Sequence, residues 1–141
     1  LGFISADIEW VKYAGTRFYS NDNNQEVVSY YNDLNYVIKN TYQNNINFKI
    51  GSEVKLNGNW MARAGTAYYG SPYKDGGLKA SQWVLSGGLG YRTEKHFIDF
   101  TIMNTMVKDA IFPYRLTEKS SYYADYKGNN LMFNIGYGIR F

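Results

Sequence analysis

Charged side chains at strand-like spacing are the residues in this chain best placed to do chemistry. Glu53 and Arg63 flank an Asn57-Gly58-Asn59 turn, Arg92 and Asp99 flank a second turn at Thr93-Glu94-Lys95-His96, and Arg140 follows near the end of the sequence. Asn-Gly supplies the positive φ that a tight hairpin requires. Pairing Leu56 with Trp60 across that turn sets Val54 opposite Ala62 on an apolar face and Glu53 opposite Arg63 on a polar one. Side chains alternate between faces along a strand, so Arg92 falls diagonally from Asp99 and Arg140 faces the same way. Such a ladder can hold a ligand's carboxylate head, which a guanidinium matches as a planar fork. It can also fix strand register, since cross-strand ion pairs contribute about 0.2–1 kcal/mol each. The structural role carries more weight for Glu53, Arg63, Arg92, Asp99 and Arg140, and the ligand role is kept beside it.

Enzymatic chemistry has little to work with. The single His, His96, falls on the predicted second turn with no Ser or acid placed to complete a triad. There is no Cys, which excludes disulfides, thiolate catalysis and Cys-based metal sites. Asp7 and Glu9 share a strand face, but Asp-x-Glu on a strand is common and makes no metal site alone. Neither catalysis, a cofactor nor a metal is expected. The Lys and Arg behind the net charge of +3 are scattered and no recognition motif accompanies them, so nucleic acid is not expected as a partner.

Period-two alternation predicts six strands to carry these residues. They run over about Phe3–Tyr13, Asn45–Leu56, Trp60–Tyr69, Trp83–Arg92, Phe97–Met106 and a last strand around Leu131–Phe141. Ile46, Phe48, Ile50, Val54 and Leu56 share one face of the second strand, and Asn45, Asn47, Lys49, Glu53 and Lys55 the other. A helix is predicted from about Asn24 to Asn40, with Val27, Tyr31, Leu34 and Ile38 on one side. Asn23 and Glu26 have capping-box spacing. Connections alternate in length: Asn57–Asn59 and Thr93–His96 are short, whereas Ser20–Asn44, Gly70–Gln82 and Lys108–Asn129 are long and hold Pro72 and Pro113.

Short turns at one end and long loops at the other are the habit of outer-membrane β-barrels. Mean hydropathy of −0.45 agrees with such a wall, because inward polar residues cancel outward apolar ones. No apolar run approaches the ~20 residues of a membrane-spanning helix. Aromatics reach 18% with 15 Tyr. In a barrel, Trp60, Tyr91 and Phe141 would occupy the periplasmic rim, and Trp83, Tyr68 and Tyr13 the outer one. In the last strand Leu131, Phe133, Ile135, Tyr137, Ile139 and Phe141 alternate with smaller or polar residues. Asn134, Gly136, Ile139 and Phe141 there resemble the polar-x-Gly-x-x-apolar-x-aromatic signal read by the barrel-assembly machinery. The plainer alternative is an ordinary edge strand.

Three stretches resemble the FadL/TodX family of outer-membrane transporters for hydrophobic compounds. They are Gly2-Phe3-Ile4-Ser5-Ala6-Asp7-Ile8-Glu9-Trp10-Val11, the hairpin Phe48–Val54 with Met61–Tyr68 and the following Ser71-Pro72, and Leu85-Ser86-Gly87-Gly88-Leu89-Gly90-Tyr91-Arg92 with Ile98-Asp99-Phe100. The resemblance implies an all-β, antiparallel up-and-down transmembrane barrel of about fourteen strands, plugged by an amino-terminal hatch. Six strands are too few to close a barrel, the smallest single-chain ones having eight. Residues 1–141 are therefore expected to be the carboxy-terminal portion of one barrel domain, starting in mid-pattern without a signal peptide. The implied function is passive uptake of small hydrophobic molecules, such as fatty acids or aromatics, across the outer membrane of a Gram-negative bacterium. Outer-membrane lipid, lipopolysaccharide and the assembly machinery are the implied partners. The competing expectation is a barrel acting as a scaffold for a protein partner in a secretion or surface complex.

Overall fold

The computed structural model describes residues 1–21, 24–78, 80–111 and 123–140. Six antiparallel strands pair in sequence order: β1 (Gly2–Lys12), β2 (Asn44–Lys55), β3 (Trp60–Tyr69), β4 (Ser81–Arg92), β5 (His96–Ile111) and β6 (Ala124–Ile139). A 3-10 turn at Tyr13–Gly15 and one helix, α1 (Gln25–Thr41), lie between β1 and β2. The fold is all-β and up-and-down, and the sheet is open, with β1 and β6 as its edges.

Alternation and turn chemistry fix the register. Gly58 has φ 70°, the one positive φ among the described residues, and Leu56 N–H donates to Trp60 C=O at 2.9 Å. Glu53 then pairs with Arg63 and Val54 with Ala62, as the turn predicts. The second turn closes through Thr93 N–H on His96 C=O at 2.8 Å, while His96 N–H donates to the Thr93 hydroxyl at 3.0 Å. Arg92 pairs with Phe97 and Gly90 with Asp99, so Arg92 and Asp99 are diagonal neighbours.

Several boundaries differ from the sequence reading. Strand β5 continues to Ile111 and β6 begins at Ala124, so their ladder occupies much of the predicted Lys108–Asn129 loop. Here Lys108, Asp109, Asp125 and Lys127 put charge on both faces, which erases the alternation signal while backbone pairing continues. Tyr13 leaves β1 for the 3-10 turn. The helix cap is Asn24, whose side chain accepts from Glu26 N–H at 3.0 Å. Asn23, Pro113 and Phe141 lie outside the described residues.

Burial is inverted relative to a protein with a dry core. Among the described residues only Met61 and Ala110 are buried apolar side chains. One face carries Ile4, Ile8 and Trp10 on β1, Ile46, Ile50 and Val54 on β2, Leu85 and Leu89 on β4, Ile98 and Phe100 on β5, and Phe133 and Ile135 on β6. All are exposed, Ile8 and Ile135 by three quarters. The opposite face is polar yet more enclosed. On it Glu53 and Asp99 keep only 18% and 22% of their side-chain surface exposed.

Aromatic clusters close both ends of the apolar face. Trp60 and Tyr91 rings lie 5.0 Å apart at the short-turn end. At the loop end Tyr68 and Trp83 lie 4.8 Å apart, with Phe48 5.7 Å from Trp83. Rings in such pairs gain about 0.5–1.5 kcal/mol beyond their area burial. The loop segment after α1 and the loop between β3 and β4 are clamped together. Gln43 N–H donates to Pro72 C=O at 2.7 Å, Lys74 N–H donates to Thr41 C=O at 3.0 Å, and the Tyr42 and Tyr73 rings stack at 5.6 Å. Burial there pushes the Tyr73 phenol pKa up, and Tyr42 and Asp109 add to the shift. Val27, Tyr31, Leu34 and Ile38 form the less exposed side of α1, as their spacing predicts.

Candidate functional site

The polar face concentrates its charge in one cluster. Arg63 on β3 donates from Nε to Glu53 Oε2 on β2 at 2.6 Å and from Nη1 to Asp99 Oδ1 on β5 at 2.7 Å. Arg63 and Asp99 lie on strands separated by β4, so the guanidinium must cross β4 to reach the carboxylate. Gly88 and Gly90 are the β4 residues on that face, and they leave the path clear. A Cβ at Gly90 would stand 2.7 Å from Asp99 Oδ1. The glycines of the Ser86-Gly87-Gly88-Leu89-Gly90 run thus allow an ion-pair triad to span four strands.

Sequence spacing brings Glu53 and Arg63 together and sets Asp99 diagonal to Arg92, and both placements hold; the partner of Asp99 was not foreseen. Asp99 is diagonal to Arg92, but its partner is Arg63. Arg92 keeps no ion pair among the described residues, and its Nε is enclosed without a hydrogen-bond partner. Arg140 continues β6 in phase with Gly136 and Gly138, and its N–H donates to Lys95 C=O at 2.8 Å. Asn134 and Gly136 pair with Thr101 and Asp99 on the polar face, while Ile139 lies on the apolar face.

Asp7 and Glu9 are engaged by β2. Lys49 Nζ lies 3.5 Å from Asp7 Oδ2, and Asn47 Nδ2 donates to Glu9 Oε2 at 3.0 Å. Asn47 also accepts from Asn45 Nδ2 at 3.2 Å and from Gly70 N–H at 3.3 Å, and is the one buried polar residue described. His96 Nδ1 lies 2.9 Å from the Tyr137 hydroxyl, and the two rings stack at the turn end. Among the described residues no group of His, Asp or Glu is gathered to hold a metal ion.

Beside the triad lies a hollow of about 300 Å³ floored by Gly51, Gly65 and Gly88 and edged by Ser5, Ser86 and Thr101. The sequence reading missed Gly88, Gly90 and Phe97 as members of this face. A signal for the glycines was present: both fall in phase with Arg63 once the β3–β4 register is drawn. No family model, no curated protein and no solved structure matches this chain. None of the described helices is long and apolar enough to cross a membrane, which leaves crossing by strands untouched.

Proposed function

We propose that this chain is part of an outer-membrane β-barrel of a Gram-negative bacterium that passes small hydrophobic molecules inward without an energy source. The observation that carries the reading is the exposed apolar face. Its bands run Ile46–Val54, Trp60–Tyr68, Trp83–Tyr91, Ile98–Met106 and Leu131–Ile139, each nine residues long. A strand needs about 9–11 residues to cross a bilayer at a tilt. Aromatic clusters at both ends of the bands match the two membrane interfaces. A continuous apolar surface of this extent needs a cover, and lipid is the cover that also accounts for an opposite face that is polar and enclosed. The likeness of the Phe48–Tyr68 hairpin and the Leu85–Arg92 strand to FadL-type transporters supports hydrophobic cargo. On this reading the short turns face the periplasm and the clamped loops face outward. The contacts would be membrane lipid and lipopolysaccharide, with the barrel-assembly machinery met during insertion.

Tyr30, Tyr36 and Val37 on the outer side of α1 are well exposed, and they favour a second reading, a scaffold for a protein partner. The test is uptake of a small aromatic hydrocarbon by a deletion strain carrying the full gene or none. Uptake should fall without the gene and return with it. Unchanged uptake would defeat transport, and a partner chain retained through α1 would then favour the scaffold. A detergent-independent soluble monomer would defeat the membrane assignment itself.

A further inference from the structure

We infer that Lys108 and Lys127 hold the phosphate of a phosphorylated lipid at the loop end of the apolar face. The site rests on the membrane reading above and is independent of the cargo. Strand phase assigns every residue of β1–β6 to one face of the sheet. Of the Asp, Glu, Lys and Arg residues in these strands, only Lys12, Lys108, Asp125 and Lys127 fall on the apolar face. All four lie at its loop end, and three of them are cations. The turn end of the same face carries none.

Lys108 and Lys127 are direct cross-strand partners. They stand one step beyond the row formed by Phe48, Tyr68, Trp83 and Met106. Ser81 faces Lys108 from β4, so a hydroxyl and two ammoniums make one row across three strands. Like charges directly opposite each other destabilise a ladder, and an anion between them removes that cost. Both lysines are exposed, and neither has an ion pair among the described residues. Asp125, one step farther out on β6, faces Ala110 instead. Lys12 belongs elsewhere, with its Nζ 4.6 Å from the Trp10 ring centre on β1.

Depth in the membrane selects the anion. On the proposed reading the aromatic row marks the outer interface, so the next row meets lipid head groups. Lysine stems run along apolar surface and keep the ammonium at that level. A phosphate monoester carries a charge of about −1.5 to −2 and three strong acceptor oxygens. That suffices for both ammoniums and the Ser81 hydroxyl together. A zwitterionic head group would bring its own cation back to the pair. The occupant is therefore a lipid-borne phosphate monoester of the outer leaflet, as on the glucosamine anchor of lipopolysaccharide.

The test uses the full-length protein in non-ionic detergent micelles, with heat-modifiable gel mobility as the check on folding. Native mass spectrometry compares retention of diphosphorylated lipid A with that of the same lipid stripped of phosphate. The parent should retain the phosphorylated form at about ten-fold lower concentration, a preference of the size that one hydrogen bond to a charged group gives. K108Q/K127Q should erase the preference, and K95Q, at the opposite end of the sheet, should leave it unchanged. A second readout needs no variant. Phosphorylated lipid A should slow acetylation of Lys108 and Lys127 in the parent by a water-soluble ester and leave Lys95 unaffected, which decides the matter if K108Q/K127Q fails to fold. Equal retention of the two lipids by the parent overturns the proposal. So does a preference that survives K108Q/K127Q, or acetylation rates that the lipid leaves unaltered. Displacement of the lipid by an equal concentration of inorganic phosphate also overturns it, because the site would then take free phosphate. A protein that floats with membranes yet holds both lipids alike loses this site and keeps the membrane reading.

Discussion

With both Glu53 and Asp99 held by one guanidinium, exchanging charges between β2 and β3 no longer conserves the pairing. In E53R/R63E the new Arg and Glu still face each other, but the Glu now points at Asp99. We expect that double variant to be less stable than the parent by about 1.5–3 kcal/mol, the range for hydrogen bonds to charged groups. Adding D99R should recover most of the loss. Urea midpoints read by heat-modifiable mobility check this, and equal midpoints for parent and double variant would remove Asp99 from the triad. Gly90→Ala carries a second expectation. Its Cβ would stand 2.7 Å from Asp99 Oδ1, so it should destabilise the parent and act much more weakly in a D99A background, which lacks that atom. Residue-level chemistry was half legible in the sequence. Glu53–Arg63 follows from the Asn-Gly turn and alternation, which are local. Arg63–Asp99 skips a strand, and such a contact depends on what β4 lacks rather than on what it carries.

Among the elements, those with an apolar face were readable to within a residue or two, because one environment imposes a single phase on β2, β3 and β4. The upper ladder of β5 and β6 was not, since Lys108↔Lys127 and Ala110↔Asp125 carry no such phase. Helix α1 was legible from its i, i+3, i+4 stripe, although its true cap lies one residue beyond the predicted one. The two faces should respond oppositely to charge. Leu89→Arg places a cation on the apolar band between its centre and the Tyr91 rim, and on the proposed reading costs about 1–3 kcal/mol, between the interface and midplane figures. Ser86→Arg, on the polar face of the same strand, should be tolerated far better. The level of each variant in the outer-membrane fraction measures the contrast. Similar levels would mean that β4 does not present Leu89 to lipid.

At the scale of the whole molecule, orientation can be read without disturbing the native chemistry, because the sequence contains no Cys. A single Cys at Asp75, in the clamped loop between β3 and β4, should react with an impermeant maleimide on intact cells. A single Cys at Asn59, in the first short turn, should react only once the outer membrane is opened. The reverse pattern would invert the proposed topology. The sheet stays open at β1 and β6, as a count of six strands requires, since the smallest single-chain barrels close with eight.

The uniform length of the apolar bands has a further consequence, in thickness. Nine residues advance about 27 Å along a strand, and on the proposed reading, at a tilt of ~40°, this would span about 21 Å across the bilayer. That figure lies below the ~30 Å of an average hydrocarbon core. The full-length protein should therefore refold most completely into vesicles of short-chain lipids, and its yield should fall as acyl chains lengthen. A bilayer forced to thin around the sheet stores mismatch energy at its rim, at fractions of a kcal/mol per ångström. On the proposed reading, the same five bands that face lipid would also select which membrane this chain can enter.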